Sequence, residues 1–197
     1  MPNPQAPESL SPEYFDHVYQ ANPDPWNFAA SPYEAAKYTA TLAALPRERY
    51  GRAFEAGCSI GVLTAQLGPR CGELLAIDVN EKALAAAQER CAGLPHVRFE
   101  QRWMPRDFPP GPFDLIVVSE VGYYLSMDDL RRFCRLTAEA LSPGGHLVLV
   151  HWTPTVHDYP LTGDEVHETF FEETQETMRP LDGDRAEKYR LDVLERV

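Results

Sequence analysis

A-F-E-A-G-C-S-I-G-V-L-T, residues Ala53–Thr64, decides how the rest of the chain is read. A short apolar run closes on Glu55, a turn passes through Gly57 and Gly61, and apolar residues resume at Val62, the order of a strand, a tight loop and a helix start. Gly57 and Gly61 permit backbone angles and a ligand approach that a Cβ would obstruct, and the following helix offers free N–H groups at its positive end. The next strand, Glu73–Val79, carries Asp78 about twenty residues beyond the loop, where a carboxylate can accept hydrogen bonds from a ribose diol. This is the signature of a nucleotide-type ligand.

The dinucleotide fingerprint lacks its middle glycine here, because the string runs Gly57-Cys58-Ser59-Ile60-Gly61. That argues against NAD. Glu55 ahead of the glycines fits a loop of the form E-x-G-x-x-x-G around an amino-acid-bearing adenosine with no pyrophosphate. The pattern resembles the first motif of class I S-adenosylmethionine-dependent methyltransferases, although a purely structural glycine turn would read the same way.

At 197 residues with 44% hydrophobic content, the chain suits one domain with a full core. The formal charge of −12 disfavours nucleic acid as a partner, since counterion release needs clustered Lys and Arg, and disfavours an anionic membrane surface for the same reason. Cys58, Cys71, Cys91 and Cys134 show no zinc-ligand spacing, so no metal is expected. Cys58, Cys71 and Cys134 read as buried apolar residues of a reduced protein. The opening M-P-N-P-Q-A-P-E-S lacks a signal-peptide core, and no apolar run reaches transmembrane length. A cytoplasmic protein is the expectation.

Residues 1–10 are proline-rich and read as disordered or loosely attached. Residues 11–197 read as a single domain, with a helical lid over 11–46 and a Rossmann-like core over 52–197. Ser11-Pro12 starts a helix running to about Ala21, and Ser31-Pro32 starts another over Tyr33–Leu45. After the glycine loop, strands and helices alternate, which implies a mostly parallel sheet with helices on both faces. Asn80 caps a helix through about Cys91, and His96–Gln101 alternates as a strand. Phe113–Ser119 is a continuous apolar run suited to a central parallel strand. A helix over Met127–Leu141, a turn at Ser142–Gly145, a strand over His146–His151, a helix from Thr162 to about Met178 and a strand over Tyr189–Glu195 complete the reading.

Ligands in such a sheet gather beyond the carboxyl ends of the strands, near the point where strand order reverses. Those ends carry Glu55, Asp78, Gln101–Trp103, Ser119-Glu120 and His151. Glu55 would hold the loop or the methionine amino group, Asp78 the ribose, and Trp103 could stack the adenine or simply pack on its neighbours. For methylation of an amine, the nitrogen must be neutral and in line, so positioning and proton removal fall to the protein. Glu120 and His151 are the candidate bases, with Tyr123 and Tyr124 as orienting donors. The plainer alternatives pair Glu120 with a nearby cation and leave His151 as a satisfied histidine at a strand end. An N-P-P-aromatic tetrad is absent, against an adenine or amide-nitrogen methyltransferase.

Four strings narrow the resemblance: D-P-W-N-F-x-x-S-P-Y-E-A-A-K-Y over Asp24–Tyr38, the glycine loop, F-D-L-I-V-V-S-E-V-G-Y-Y-L over Phe113–Leu125, and D-Y-P-L-T-G-D-E-V-H over Asp158–His167. Together with Y-R-L-D-V-L-E-R at Tyr189–Arg196, the chain from about residue 11 onward is similar to the nodulation protein S family. The resemblance implies a Rossmann-like class I methyltransferase fold with an N-terminal helical lid, S-adenosylmethionine as cofactor, and N-methylation of the free amine of a deacetylated amino sugar or chitooligosaccharide. It implies cofactor contacts from Glu55, Gly57, Cys58, Ser59, Gly61, Asp78, Val79, Trp103, Met104 and Ser119, and from Trp26, Tyr33 and Lys37 of the lid. Glu120, His151 and Tyr124 would serve the chemistry. Tyr123, Tyr124, His151, Asp158 and Tyr159 would meet the acceptor, with Asp164, Glu165, His157 and His167 also suited to sugar hydroxyls or amine. The string over 158–167 reads equally as a capped helix entry with solvated charges.

Two departures stand out. Gly122 occupies a place where a larger apolar residue is expected, which would open the acceptor pocket, and the short polar stretch from Met178 to Ala186 predicts an abbreviated terminal hairpin. A methyltransferase for another small acceptor, at oxygen or carboxylate, and a noncatalytic S-adenosylmethionine-binding protein remain the alternative classes. Oligomeric state carries no signal in the sequence.

Overall fold

The computed structural model describes residues 8–197. Seven strands form one sheet in the order β3-β2-β1-β4-β5-β7-β6. They are β1 (Tyr50–Ala56), β2 (Cys71–Asp78), β3 (Val97–Gln101), β4 (Phe113–Ser119), β5 (Leu141–Trp152), β6 (Met178–Arg185) and β7 (Tyr189–Arg196). β1 to β5 pair in parallel, and β7 enters antiparallel between β5 and β6. Strand order reverses between β1 and β4. The helices are α1 (Pro12–Ala21), α2 (Pro32–Ala43), α3 (Val62–Leu67), α4 (Glu81–Arg90), α5 (Met127–Ala140) and α6 (Gly163–Thr174).

The unbroken apolar run of β4 is explained by its two buried faces. Successive strand residues point to opposite sides. Ile116 and Val118 pack in one core with Leu130, Phe133 and Cys134 of α5 and Phe170 of α6, whereas Leu115 and Val117 pack in another with Tyr38 of α2 and Leu63 and Leu67 of α3. β5 repeats the division, Leu147 and Leu149 facing α5 and α6, Val148 and Val150 facing α2 and α3. Phe54, Phe113, Phe133, Leu130 and Leu147 are wholly excluded from solvent; truncating such a leucine to alanine costs about 2–5 kcal/mol. That two-faced core fixes where the strand ends lie.

Local signals set most boundaries. The side chains of Ser31, Asn80 and Ser126 accept from the N–H three residues on, and Thr162 and Glu165 form a reciprocal capping box. Ser11 precedes α1 as expected but makes no side-chain cap bond. Three expectations are corrected. α6 ends at Thr174 rather than near Met178, Ser142–Gly145 belongs to β5 rather than to a free turn, and the terminal hairpin is complete, because β6 pairs with β7 from Met178–Arg196 to Arg185–Arg190. β6 is polar because it is the exposed edge strand: all its residues after Met178 are exposed. The loosely attached segment expected over 1–10 falls, for residues 1–7, outside the described residues. Residues 9 and 10 are held, Ser9 Oγ donating to Asp129 and Leu10 N–H to the Tyr124 carbonyl.

Candidate active site

The carboxyl ends of β1, β2 and β4 converge at the reversal of strand order, and a cavity of about 930 Å³, counted to its open mouth, lies there. Its floor is Gly57, Cys58 and Ser59 after β1 and Ile77, Asp78 and Val79 at the end of β2; Ser119, Glu120 and Val121 follow from β4. Gly57 and Ser59 both take left-handed backbone angles, φ 73° and 48°, so the loop doubles back under the cavity. Gly61 caps α3 at φ 76°, and a Cβ there would stand 2.9 Å from the Cα and Cβ of Ala87. Its absent side chain lets α4 pack against the loop.

Asp78 is buried, with one carboxylate oxygen accepting from Ser59 N–H at 2.9 Å and the other from Asn80 N–H at 3.0 Å. Burial raises its pKa, and the N–H groups of Asn80, Ser59 and Val79 offset part of that. Each oxygen keeps a lone pair free to accept from a ligand hydroxyl. Beneath the loop, Glu55 is fully buried and its Oε2 has no partner. Burial pushes this carboxyl up to about 7, the Thr64 hydroxyl pulling down and the Asp78 charge pushing up.

The opposite wall comes from the N-terminal helices and their link. Phe15 and Tyr19 of α1, Trp26 and Phe28 of the link, and Tyr38 of α2 line the cavity. Tyr19 OH bonds Ser59 Oγ at 2.5 Å, and its ring meets Trp26 edge-on, while Trp26 stacks on Phe28. Trp103 and Met104 after β3 complete the apolar side; Arg106 sits over the Trp103 ring at 4.9 Å.

Of the expected cofactor residues, Gly57, Cys58, Ser59, Asp78, Val79, Trp103, Met104, Ser119 and Trp26 line this cavity. Gly61, Glu55, Tyr33 and Lys37 do not. Gly61 and Glu55 support the loop from behind, and Tyr33 packs edge-on against Trp152 and Tyr189. Lys37 instead bridges two carboxylates: its Nζ lies 3.1 Å from Glu34 Oε1 and 2.5 Å from Glu120 Oε1, with the side chain 2% exposed. Burial opposes the charge, but Glu120 and Glu34 outweigh it and hold the ammonium above its usual range. Tyr19, Phe15, Phe28 and Tyr38 also line the cavity, none of them among the expected site residues. Their only sequence signal is aromatic density ahead of the first strand.

The two candidate bases separate. Glu120 lines the cavity, at a left-handed φ of 59°, and its carboxylate also accepts from Tyr123 OH and from Trp152 N–H. His151 has the geometry of its plainer reading, a satisfied histidine at a strand end: its ring is wholly buried, lines no part of the cavity, and has both nitrogens engaged, with His167 at 3.0 Å and Gly122 N–H at 3.2 Å. Tyr124 lines the cavity, and Tyr123 is buried behind it, stacked on Tyr159 with centroids 5.0 Å apart. Tyr159 OH lies 3.4 Å from Tyr124 OH, and Asp158 is exposed. Three other residues suggested for the acceptor do not line the cavity, and the string over 158–167 takes its capped-helix reading. Asp164 is paired with Arg185, Glu165 is committed to the cap of α6, and His167 is buried against Asp192. Nor does Gly122 open the pocket, because a Cβ there would run into Val166.

A second cavity of about 960 Å³, counted the same way, adjoins the first across Trp103, lined also by Ser126, Asp128 and Asp129. Among the described residues no group of three His, Cys, Asp or Glu is gathered as a metal site, and no helix is long and apolar enough to cross a membrane.

Compared with known proteins, residues 17–151 match the family described as Nodulation protein S (NodS). The chain is 33% identical over 127 residues to nodulation protein S of Rhizobium tropici, covering 64% of this chain and 53% of that protein. It is 32% identical over 134 residues to nodulation protein S of Sinorhizobium fredii strain NBRC 101917 / NGR234, covering 67% and 62%. The chain thus aligns with a little over half the length of these curated relatives. Among solved structures, the N-methyltransferase NodS from Bradyrhizobium japonicum WM9 in complex with S-adenosyl-L-homocysteine superposes with a TM-score of 0.79 at 26% identity, covering 93% of this chain and 97% of that one. The sheet order, the glycine loop ending β1 and the carboxylate ending β2 are those of a class I methyltransferase fold, and with a family match across residues 17–151 the chain belongs to the nodulation protein S family.

Proposed function

We propose that this protein is an S-adenosylmethionine-dependent methyltransferase acting on the free amine of a deacetylated amino sugar or chitooligosaccharide. The observation that carries the reading is the convergence of Gly57–Ser59, Asp78 and Glu120 on one cavity, in a chain of the same family as a structure solved with S-adenosyl-L-homocysteine. The residues fit that cofactor. Asp78 has lone pairs for a ribose diol, and Met104, Trp103, Ile77 and Val79 supply apolar surface for an adenine. When bound, S-adenosylmethionine supplies a methyl group made electrophilic by its sulfonium.

The protein's part is to hold and orient the acceptor and to manage its charge. Transfer to an amine moves positive charge onto the nitrogen, which must then lose a proton. Glu120 is placed to stabilise that charge and to receive the proton, with Tyr124 beside it to orient the amine. Lys37 fixes one Glu120 oxygen, while Tyr123 OH and Trp152 N–H fix the other. Together Glu34, Lys37 and Glu120 leave one negative charge in excess when all are ionised, which favours a cationic acceptor. The aromatic walls and the second cavity across Trp103 accommodate sugar faces on either side of the reacting unit.

The test is a turnover assay with a glucosamine oligomer and its fully N-acetylated counterpart. Methyl transfer to the free-amine oligomer alone supports the proposal; transfer to a hydroxyl or carboxylate acceptor instead would replace the acceptor assignment. Glu120→Gln keeps the size and most hydrogen bonds, and is expected to lower kcat by about 10²–10⁴-fold; an unchanged kcat removes Glu120 from the chemistry.

A further inference from the structure

Behind the turn that carries Glu120 and Tyr124, three side chains from distant parts of the sequence stand in line. Asp192 of β7 lies 2.6 Å from His167 Nδ1 of α6, His167 Nε2 lies 3.0 Å from His151 Nδ1 at the end of β5, and His151 Nε2 lies 3.2 Å from the backbone N–H of Gly122. Both rings are wholly buried, and Asp192 is 8% exposed.

The line has a single direction. Gly122 N–H can only donate, so His151 Nε2 must be the unprotonated nitrogen. A neutral His151 then carries its hydrogen on Nδ1 and donates to His167 Nε2. His167 in turn carries its hydrogen on Nδ1 and donates to the Asp192 carboxylate. That carboxylate oxygen also accepts from Arg190 Nε at 2.7 Å. One backbone N–H at one end and one anion at the other thus fix the tautomer of two histidines.

The end of β5 grips the same turn at two more points, Glu120 N–H donating to the Val150 carbonyl at 2.9 Å and Trp152 N–H to Glu120 Oε2 at 3.0 Å. The His151 ring also meets Tyr123 edge-on at 5.5 Å. Gly122 makes this approach possible, since a Cβ would overlap Val166 and stand 3.2 Å from His151 Nε2.

We propose that Asp192, His167 and His151 are positioning residues, a one-way hydrogen-bond line that sets the Glu120–Tyr124 turn against the cavity, with His151 acting as an acceptor for Gly122 N–H and not as a proton-transfer group. The inference rests on the reading that Glu120 and Tyr124 border the site of methyl transfer. A proton on His151 Nε2 would set two donors face to face and release the turn. The groups facing His151 are His167 from α6, Lys37 from α2 and Tyr123 from the turn; those facing His167 are Asp192 and Arg190 from β7 and Asp164 from its own helix. Burial first, then the neighbouring His167 ring and the Lys37 charge, keep His151 well below its ordinary range, so the line holds as pH falls toward the acidic side of neutrality.

The test combines the wild-type protein with two variants. Long-range ¹⁵N–¹H correlation spectra of the wild type should show both histidines as the Nδ1–H tautomer, unchanged from neutral pH down through the normal histidine range. His151→Leu, which removes the acceptor, should lower kcat at least about tenfold with the affinity for S-adenosyl-L-homocysteine little altered, and His151→Gln, whose amide oxygen can accept from Gly122 N–H, should restore most of it. A hydrogen on His151 Nε2, an ordinary histidine titration, or equal losses in both variants would each overturn the proposal. The spectra need no turnover. A protein inactive on every amine but with these tautomers would refute the functional reading while supporting the line; reversed tautomers in an active protein would refute the line alone.

Discussion

Glu55 is the residue whose surroundings make the sharpest demand on stability. It is wholly buried with one oxygen unpartnered, and burial lifts its carboxyl to about 7. A carboxyl raised in the folded state binds its proton more tightly there than in the unfolded chain. Its contribution is therefore present below the unfolded value and lost as pH rises through about 7. A displacement of this size corresponds to a few kcal/mol at most, on the order of 3. Glu55→Gln should remove that dependence, so urea unfolding at pH 5 and pH 8 should differ less in the variant than in the wild type; an identical difference in both would show that Glu55 is ionised throughout. Asp78 and the 57–61 loop were legible in the sequence because glycine spacing and a strand-end acid are local signals. Tyr19, Phe28 and Tyr38 were not, since their place on the cavity wall comes from tertiary packing, Tyr19 with Ile60 and Ala83 and Tyr38 with β1 and β4, which no short-range pattern encodes. His151 was legible as a strand-end histidine, but only its burial against His167 and Gly122 shows that it cannot reach the cavity.

At the scale of elements, α2 is fastened to the end of β4 through one buried lysine. Lys37 sits between Glu34 of its own helix and Glu120 beyond β4. Replacing it by methionine leaves Glu120 and Glu34 without their cation, and the cost should be about 3–5 kcal/mol, read from the denaturation midpoint. In a Lys37→Met, Glu120→Gln double variant part of that loss should return; fully additive losses would mean the pair is not coupled. The contact of α3 with α4 rests on a missing side chain. Gly61→Ala must accept a left-handed angle and a Cβ 2.9 Å from Ala87, and about 2–4 kcal/mol of destabilisation is expected; a variant as stable as the wild type would contradict the close packing drawn here. Parallel strands and capped helices could be read in advance because apolar runs and cap residues mark them. β6 could not, because Met178–Arg185 is polar, contains Asp182-Gly183, and owes its extended form to pairing with β7. The extra length of β5 through Ser142–Gly145 escaped for a similar reason, its turn-like residues continuing the strand past a register shift against β4.

For the molecule as a whole, strand order places the glycine loop, Asp78 and the β4 turn at a single reversal point, and the proposed activity follows from what gathers there. The core that enforces this order is apolar and two-sided, whereas the acceptor side is built from loops and from the N-terminal helices. That division is why the fold and the cavity floor were more legible than the loops around it: Gly57–Ser59 and Asp78 answer to a common motif, while Asp158, Asp164 and His167 carry no local signal that says whether they line the cavity, and they do not. Everything proposed for Glu120 and for the amine depends on the cavity holding S-adenosylmethionine. Isothermal titration of the protein with S-adenosyl-L-homocysteine, repeated on Asp78→Ala, tests this most directly. One saturable site in the wild type, weakened at least about tenfold in the variant by loss of charge-assisted hydrogen bonds, is expected; no saturable heat in the wild type, or equal affinity in the variant, would rule out S-adenosylmethionine as the ligand of this cavity.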